Sequence, residues 1–74
     1  MTRLPTLNAR KIIAALKRAG FEETKQRGSH LYLWHPARKL ETCVPTHRGD
    51  LKRSLVRGIL MQAGLTEDDF RDLL

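Results

Sequence analysis

Gly28-Ser29-His30 opens a run that gathers side chains able to move protons and bind anions, and it continues Leu31, Tyr32, Leu33, Trp34. Neighbours in an extended strand alternate, so Leu31 and Leu33 face one side while His30, Tyr32 and Trp34 face the other. The leucines read as core. The opposite face carries an imidazole beside two aromatic rings, and imidazole ordinarily titrates near neutrality, where it both accepts and donates protons. Lys25 and Arg27 stand just before, on the adjacent strand end, and supply cations able to stabilise phosphate charge. Gly28 lets a phosphate backbone approach closely, Ser29 offers a hydroxyl donor, and Tyr32 offers a ring on which an unpaired base stacks. On residue types alone, a surface histidine among solvated charges is more often inert than catalytic.

The remaining chemistry-bearing residues are more scattered. His47 follows Pro45 in a loop ahead of a helix, a place that suits phosphate binding, holding the loop, or meeting a protein partner. Trp34 lies farther from His30 and suits a partner surface, where aromatic side chains are favoured anchors. His35 falls on the opposite face from His30 by strand parity and reads as a surface or turn residue. Cys43 is the single cysteine, which excludes an intramolecular disulfide; it reads as a small core residue. No His, Cys, Asp or Glu set shows metal-ligand spacing, so no metal or other cofactor is expected.

These residues sit in a strongly basic chain of 74 residues, with net charge +6 and a sequence pI near 10.3. Thirteen of the 14 Lys and Arg precede Thr66, against four of the eight acids, so the body is more basic than the total suggests. A polyanion is the default partner. The length fits a single domain, residues 1–74, with a thin core. Met1-Thr2-Arg3-Leu4-Pro5 begins no signal-peptide core and no apolar run approaches membrane-spanning length, so a cytoplasmic protein with no membrane partner is expected.

The elements that must position the histidine follow from periodicity. Asn8 is a good N-cap for a helix over Ala9 to Ala19, with Gly20 beyond its end. Ala9, Ile12, Ile13, Leu16 and Ala19 form its apolar stripe, and Arg10, Lys11, Lys17 and Arg18 its basic face. Strands are predicted over Phe21 to Gln26, His30 to Trp34 and Leu40 to Val44, with a turn at Arg27-Gly28 and a break over Pro36 to Lys39. Asp50 is expected to cap a second helix reaching Ala63, with Leu51, Leu55, Val56, Ile59, Leu60 and Ala63 inward. Gly58 inside that helix costs about 1 kcal/mol relative to alanine, which implies close packing there. Thr66 and Asp69 form a weaker version of the capping box for a short last helix carrying Phe70, Leu73 and Leu74. Two amphipathic helices over one face of a three-stranded meander make an α+β two-layer sandwich with the His30 face uncovered.

The Gly20-Phe21 pair, Arg27-Gly28-Ser29-His30-Leu31-Tyr32, Val44-Pro45-x-His47 and Ile59-Leu60-x-Gln62-Ala63-Gly64-Leu65, in this order and ahead of Phe70, resemble the HicA toxin family. The resemblance runs from about residue 8 to residue 72; Ser54-Leu55 stands where the family often has Gly-Thr. It implies a double-stranded-RNA-binding-domain-like α-β-β-β-α fold with an extra C-terminal helix. It also implies an mRNA interferase of a type II toxin–antitoxin system, and a HicB-type antitoxin that masks the site. The family's catalytic histidine carries over to His30. The expected chemistry is metal-independent cleavage of mRNA, with His30 as general acid or base. Lys25, Arg27, Gly28, Ser29 and Tyr32 are the expected RNA contacts, and His47 and Trp34 are candidates for phosphate or antitoxin. The competing reading is a non-catalytic RNA-binding module of the same fold, because function is carried by the site.

Overall fold

The computed structural model describes residues 6–74, so the opening segment in which the sequence shows no signal-peptide core lies outside it. The elements are β1 (Leu7–Asn8), α1 (Ala9–Arg18), β2 (Glu22–Arg27), β3 (His30–His35), β4 (Leu40–Pro45), β5 (Asp50–Leu51), α2 (Arg53–Ala63) and α3 (Glu67–Leu73). Asn8 caps α1 as expected: its side-chain oxygen accepts from the Lys11 amide at 3.0 Å, satisfying a donor that the first turn leaves open. Gly20 follows the helix at φ 106°, and a Cβ there would lie 2.7 Å from His35 Nε2. Both the backbone angle and the close approach require glycine.

The expected meander forms, with β3 between β2 and β4 and both pairings antiparallel. Its two-residue turn is Gly28-Ser29 rather than Arg27-Gly28, with Gly28 at φ 56°, and Arg27 is a paired strand residue. One sheet face is the core. Leu31, Leu33 and Val44 are buried there against Ile12 and Leu16 of α1 and Val56, Ile59 and Leu60 of α2. The molecule measures 33 × 28 × 16 Å, and the short dimension is one sheet plus one helix layer. This is the α+β two-layer sandwich read from the sequence, with α3 added. The Thr66–Asp69 capping box is complete, and Phe70 is fully buried while Leu74 stays exposed.

The start of α2 departs from expectation. Asp50 does not cap it: Asp50 and Leu51 pair with Asn8 and Leu7 in a short antiparallel ladder, and α2 begins at Arg53 with no side-chain cap at Lys52. The ladder wins because it buries Leu51, which is 2% exposed, against the start of the fold. Leu51 is therefore not on the helix, and the inward stripe narrows to Val56, Ile59, Leu60 and Ala63, leaving Leu55 39% exposed. The close packing expected at Gly58 is also absent: a Cβ there would meet nothing within 4 Å.

Two further side chains sit differently from their sequence reading. Cys43 pairs with Tyr32 and so lies on the uncovered face, half-buried; its neighbours Thr42 and Val44 take the core positions. Thr42 is the buried polar side chain of the core, and its hydroxyl lies 3.2 Å from the Ile59 carbonyl oxygen. His35 is a structural residue rather than a surface one. Its Nε2 lies 3.1 Å from the Ala19 carbonyl oxygen, to which it donates, and its Nδ1 accepts from the Arg38 amide at 3.1 Å. Its ring meets Phe21 edge-on, with centroids 5.2 Å apart.

Candidate active site

The uncovered sheet face is assembled by pairing. His30 stands directly between Arg27 on β2 and Pro45 on β4, and Tyr32 stands between Lys25 and Cys43. Residues directly opposite share a face, so Arg27 and Lys25 both join His30. Strict alternation along β2 would not do this while keeping Glu22 on the same face. The register shifts between Glu23 and Lys25, leaving Thr24 as a bulge whose hydroxyl donates to the Tyr32 carbonyl at 3.3 Å. Glu23 consequently pairs with Leu33 on the helix side, where its carboxylate forms an ion pair with Lys17 of α1.

The turn that presents His30 is held from β4. The Thr46 amide and hydroxyl both donate to the Ser29 carbonyl, at 2.6 and 3.0 Å, and Gln26 Nε2 donates to the Gly28 carbonyl at 3.3 Å. The sequence does not point to Thr46, because a lone threonine after a proline carries no signal of this role. Gly28, Ser29 and His30 are all exposed. Lys25 Nζ sits 4.9 Å from the centre of the Tyr32 ring, a cation–π contact that holds the ammonium on this face and covers one side of the ring.

His30 does not stand on an unbounded surface. At the β4 edge the sheet meets α2, and a groove of about 260 Å³ runs between His30, Cys43 and Pro45 on one side and Ser54, Leu55 and Gly58 on the other. The space left at Gly58 belongs to this groove. Burial pushes the Cys43 thiol up from its ordinary pKa; a side-chain hydrogen bond with Tyr32 works the other way, and the charge of Glu41 adds to the rise.

Charge changes sign along the same face. Trp34 lies four residues from His30, about 13 Å along the strand, and is flanked by Glu22 and Glu41 in the register. The His30 end is thus cationic and the Trp34 end acidic. His47 does not line the groove beside His30. It is exposed on the loop after β4, its Nδ1 donating to the Arg48 carbonyl at 3.2 Å, and it borders a separate groove against α1. Among the described residues no group of three or more His, Cys, Asp or Glu side chains is placed to hold a metal, and no helix is long and apolar enough to cross a membrane.

The fold and this face define a small basic α+β sandwich that presents an exposed histidine beside cations on its uncovered sheet. The model of the family described as HicA toxin of bacterial toxin-antitoxin matches residues 9–65, which include both helices of the sandwich and all three strands of the meander. The chain belongs to the HicA toxin family, and that membership supports a ribonuclease-toxin function with an RNA and a HicB-type antitoxin as partners at the level of the family. No curated protein matches it by sequence.

Proposed function

We propose that this chain is an endoribonuclease toxin that cuts mRNA by transesterification, with His30 as its proton-transfer group, and that a HicB-type antitoxin neutralises it in the cytoplasm. The observation that carries the reading is the pairing of exposed His30 with Arg27 on an uncovered sheet face, beside a groove of about 260 Å³. RNA carries its own nucleophile. The 2′-oxygen loses its proton and bonds to phosphorus, the bond to the 5′-oxygen breaks, and that oxygen takes up a proton. The products are a 2′,3′-cyclic phosphate and a 5′-hydroxyl. His30 performs one of these proton transfers, a contribution of roughly 10²–10⁴-fold. Arg27 stabilises the charge that builds on the phosphoryl oxygens, and Lys25, positioned by Tyr32, adds to the same field. Gly28 and Ser29 leave the turn low enough for the backbone of the substrate to pass.

Trp34, between two carboxylates, is poorly placed for a polyanion and well placed as an anchor for the antitoxin. A protein that masks the His30 end presents acids to Arg27 and Lys25, so its association rate falls as salt is raised.

The test is cleavage of a defined single-stranded RNA in EDTA by the parent protein and by His30→Ala, with both product ends mapped. Cutting by the parent alone, leaving cyclic phosphate ends, is the expected result. Equal cutting by both proteins removes His30 from the mechanism. Binding without cutting by either leaves an RNA-binding module of the same fold.

A further inference from the structure

A groove larger than the one beside His30 lies elsewhere on the molecule. It lies on the helix side, about 610 Å³ in volume, between the exposed face of α1 and the loop joining β4 to β5. Its floor is small and apolar, Ala9, Ile13 and Ala14, and its walls carry Arg10 from the helix and His47 and Arg48 from the loop. Lys17 also borders it but is already paired with Glu23. Arg10 and Arg48 are exposed and form no ion pair among the described residues. The groove exists because the β1–β5 ladder clamps the far end of the loop to the head of α1, while Gly49 at φ 88° turns the chain back. Its near end is Thr46, which grips the Ser29 carbonyl beside His30.

We propose that this groove is a second RNA subsite, which holds the sugar–phosphate backbone of the strand several nucleotides from the bond that is cut. The proposal rests on the ribonuclease reading above. Two exposed guanidinium groups over an apolar floor match the chemistry of a polynucleotide backbone, with phosphates at the walls and ribose on the alanines. His47 adds a third contact: with Nδ1 committed to the Arg48 carbonyl, Nε2 is the nitrogen left for a ligand. Thr46 joins the two grooves, so one strand can pass from the histidine over the β4–β5 loop into the second site.

The experiment measures binding of fluorescent single-stranded RNA to the full chain carrying His30→Ala, so that the RNA stays intact, with and without Arg10→Gln plus Arg48→Gln. Arg38→Gln plus Lys39→Asn, in the β3–β4 turn at the opposite end of the sheet, serves as the charge-matched control. Losing two phosphate contacts lowers the log–log salt slope by about 1.4, so the affinity drop between 50 and 200 mM salt becomes about sevenfold smaller. This change is expected for a longer oligomer and not for a trinucleotide, which cannot span both grooves. An unchanged slope for the longer RNA overturns the proposal, and so does an equal loss for the trinucleotide. A slope unchanged for RNA but reduced for an acidic HicB-type protein assigns the groove to the antitoxin and also overturns it. Failure of every variant, the control included, to bind RNA instead defeats the ribonuclease reading itself. Circular dichroism melts of each variant check that the fold is retained.

Discussion

Gly58 lies in the middle of α2 with ordinary helical backbone and open space where a Cβ would stand. Two opposite results are therefore in play for Gly58→Ala. Had the helix packed closely there, as a glycine inside an amphipathic helix suggests, a methyl group would overpack the contact and cost about 1–3 kcal/mol. The structure gives the other sign. With nothing within 4 Å, the substitution removes the penalty of glycine in a helix interior, about 1 kcal/mol, partly by restricting the unfolded chain. For a domain of this size 1 kcal/mol moves the melting temperature by about 4–8 °C. Differential scanning calorimetry of parent and variant measures it directly, and a lower melting temperature in the alanine variant refutes the reasoning. The same position also reports on function. Gly58→Leu extends a side chain into the groove beside His30 without disturbing the core, so RNA cleavage is expected to fall at least tenfold while the variant stays as stable as the parent. A leucine variant that cuts RNA at the parental rate places that groove off the path of the substrate.

Other outcomes follow from the corrected start of α2 and from the uncovered face. Leu51→Ala is expected to cost about 2–4 kcal/mol and Leu55→Ala under about 1 kcal/mol in urea unfolding, because Leu51 is buried in the ladder and Leu55 stands at the groove rim; equal losses would restore both leucines to one helical stripe. Cys43 holds its proton more tightly in the folded state, so its contribution to stability is complete below the unfolded thiol's pKa and is lost as pH rises through the folded one. The midpoint of its alkylation rate against pH should lie higher in native protein than in urea and fall in Glu41→Gln; a native midpoint at or below the denatured one contradicts this.

Much of the architecture is legible because side-chain pattern and backbone agree. The alternation of His30 to Trp34 predicts β3, the stripe Ile12–Leu16 predicts α1, and Asn8, Gly64 and the Thr66–Asp69 pair mark helix ends where the bonds are found. The failures share a cause. A two-residue ladder is too short to have a period, so β1 and β5 leave no trace, and Asp50 then looks like the cap its residue type favours. The apolar character of Cys43 points to the core, but its face is decided by register with Tyr32, which a strand does not reveal alone. The role of His35 depends on the Ala19 carbonyl, which only the packed helix end brings within reach.

The candidate site turns on the smallest of these backbone features. Along β2 the acids and bases run Glu22, Glu23, Lys25, Arg27, and strict alternation would place Glu23, Lys25 and Arg27 together on one face. The Thr24 bulge separates them, sending Glu23 to Lys17 on the helix layer and both cations to the imidazole. The bulge thus exchanges the two acids: Glu22 rather than Glu23 stands opposite Trp34 on the cation face, and Glu23 is freed for the helix layer. The same sorting pairs Lys17 with Glu23, while Arg10 and Arg48 of the second groove form no ion pair among the described residues. The two surfaces proposed for RNA therefore differ in origin: the break in β2 decides which acid meets Lys17 at the second groove, whereas the His30 end owes its cations to the pairing of Lys25 and Arg27 with β3.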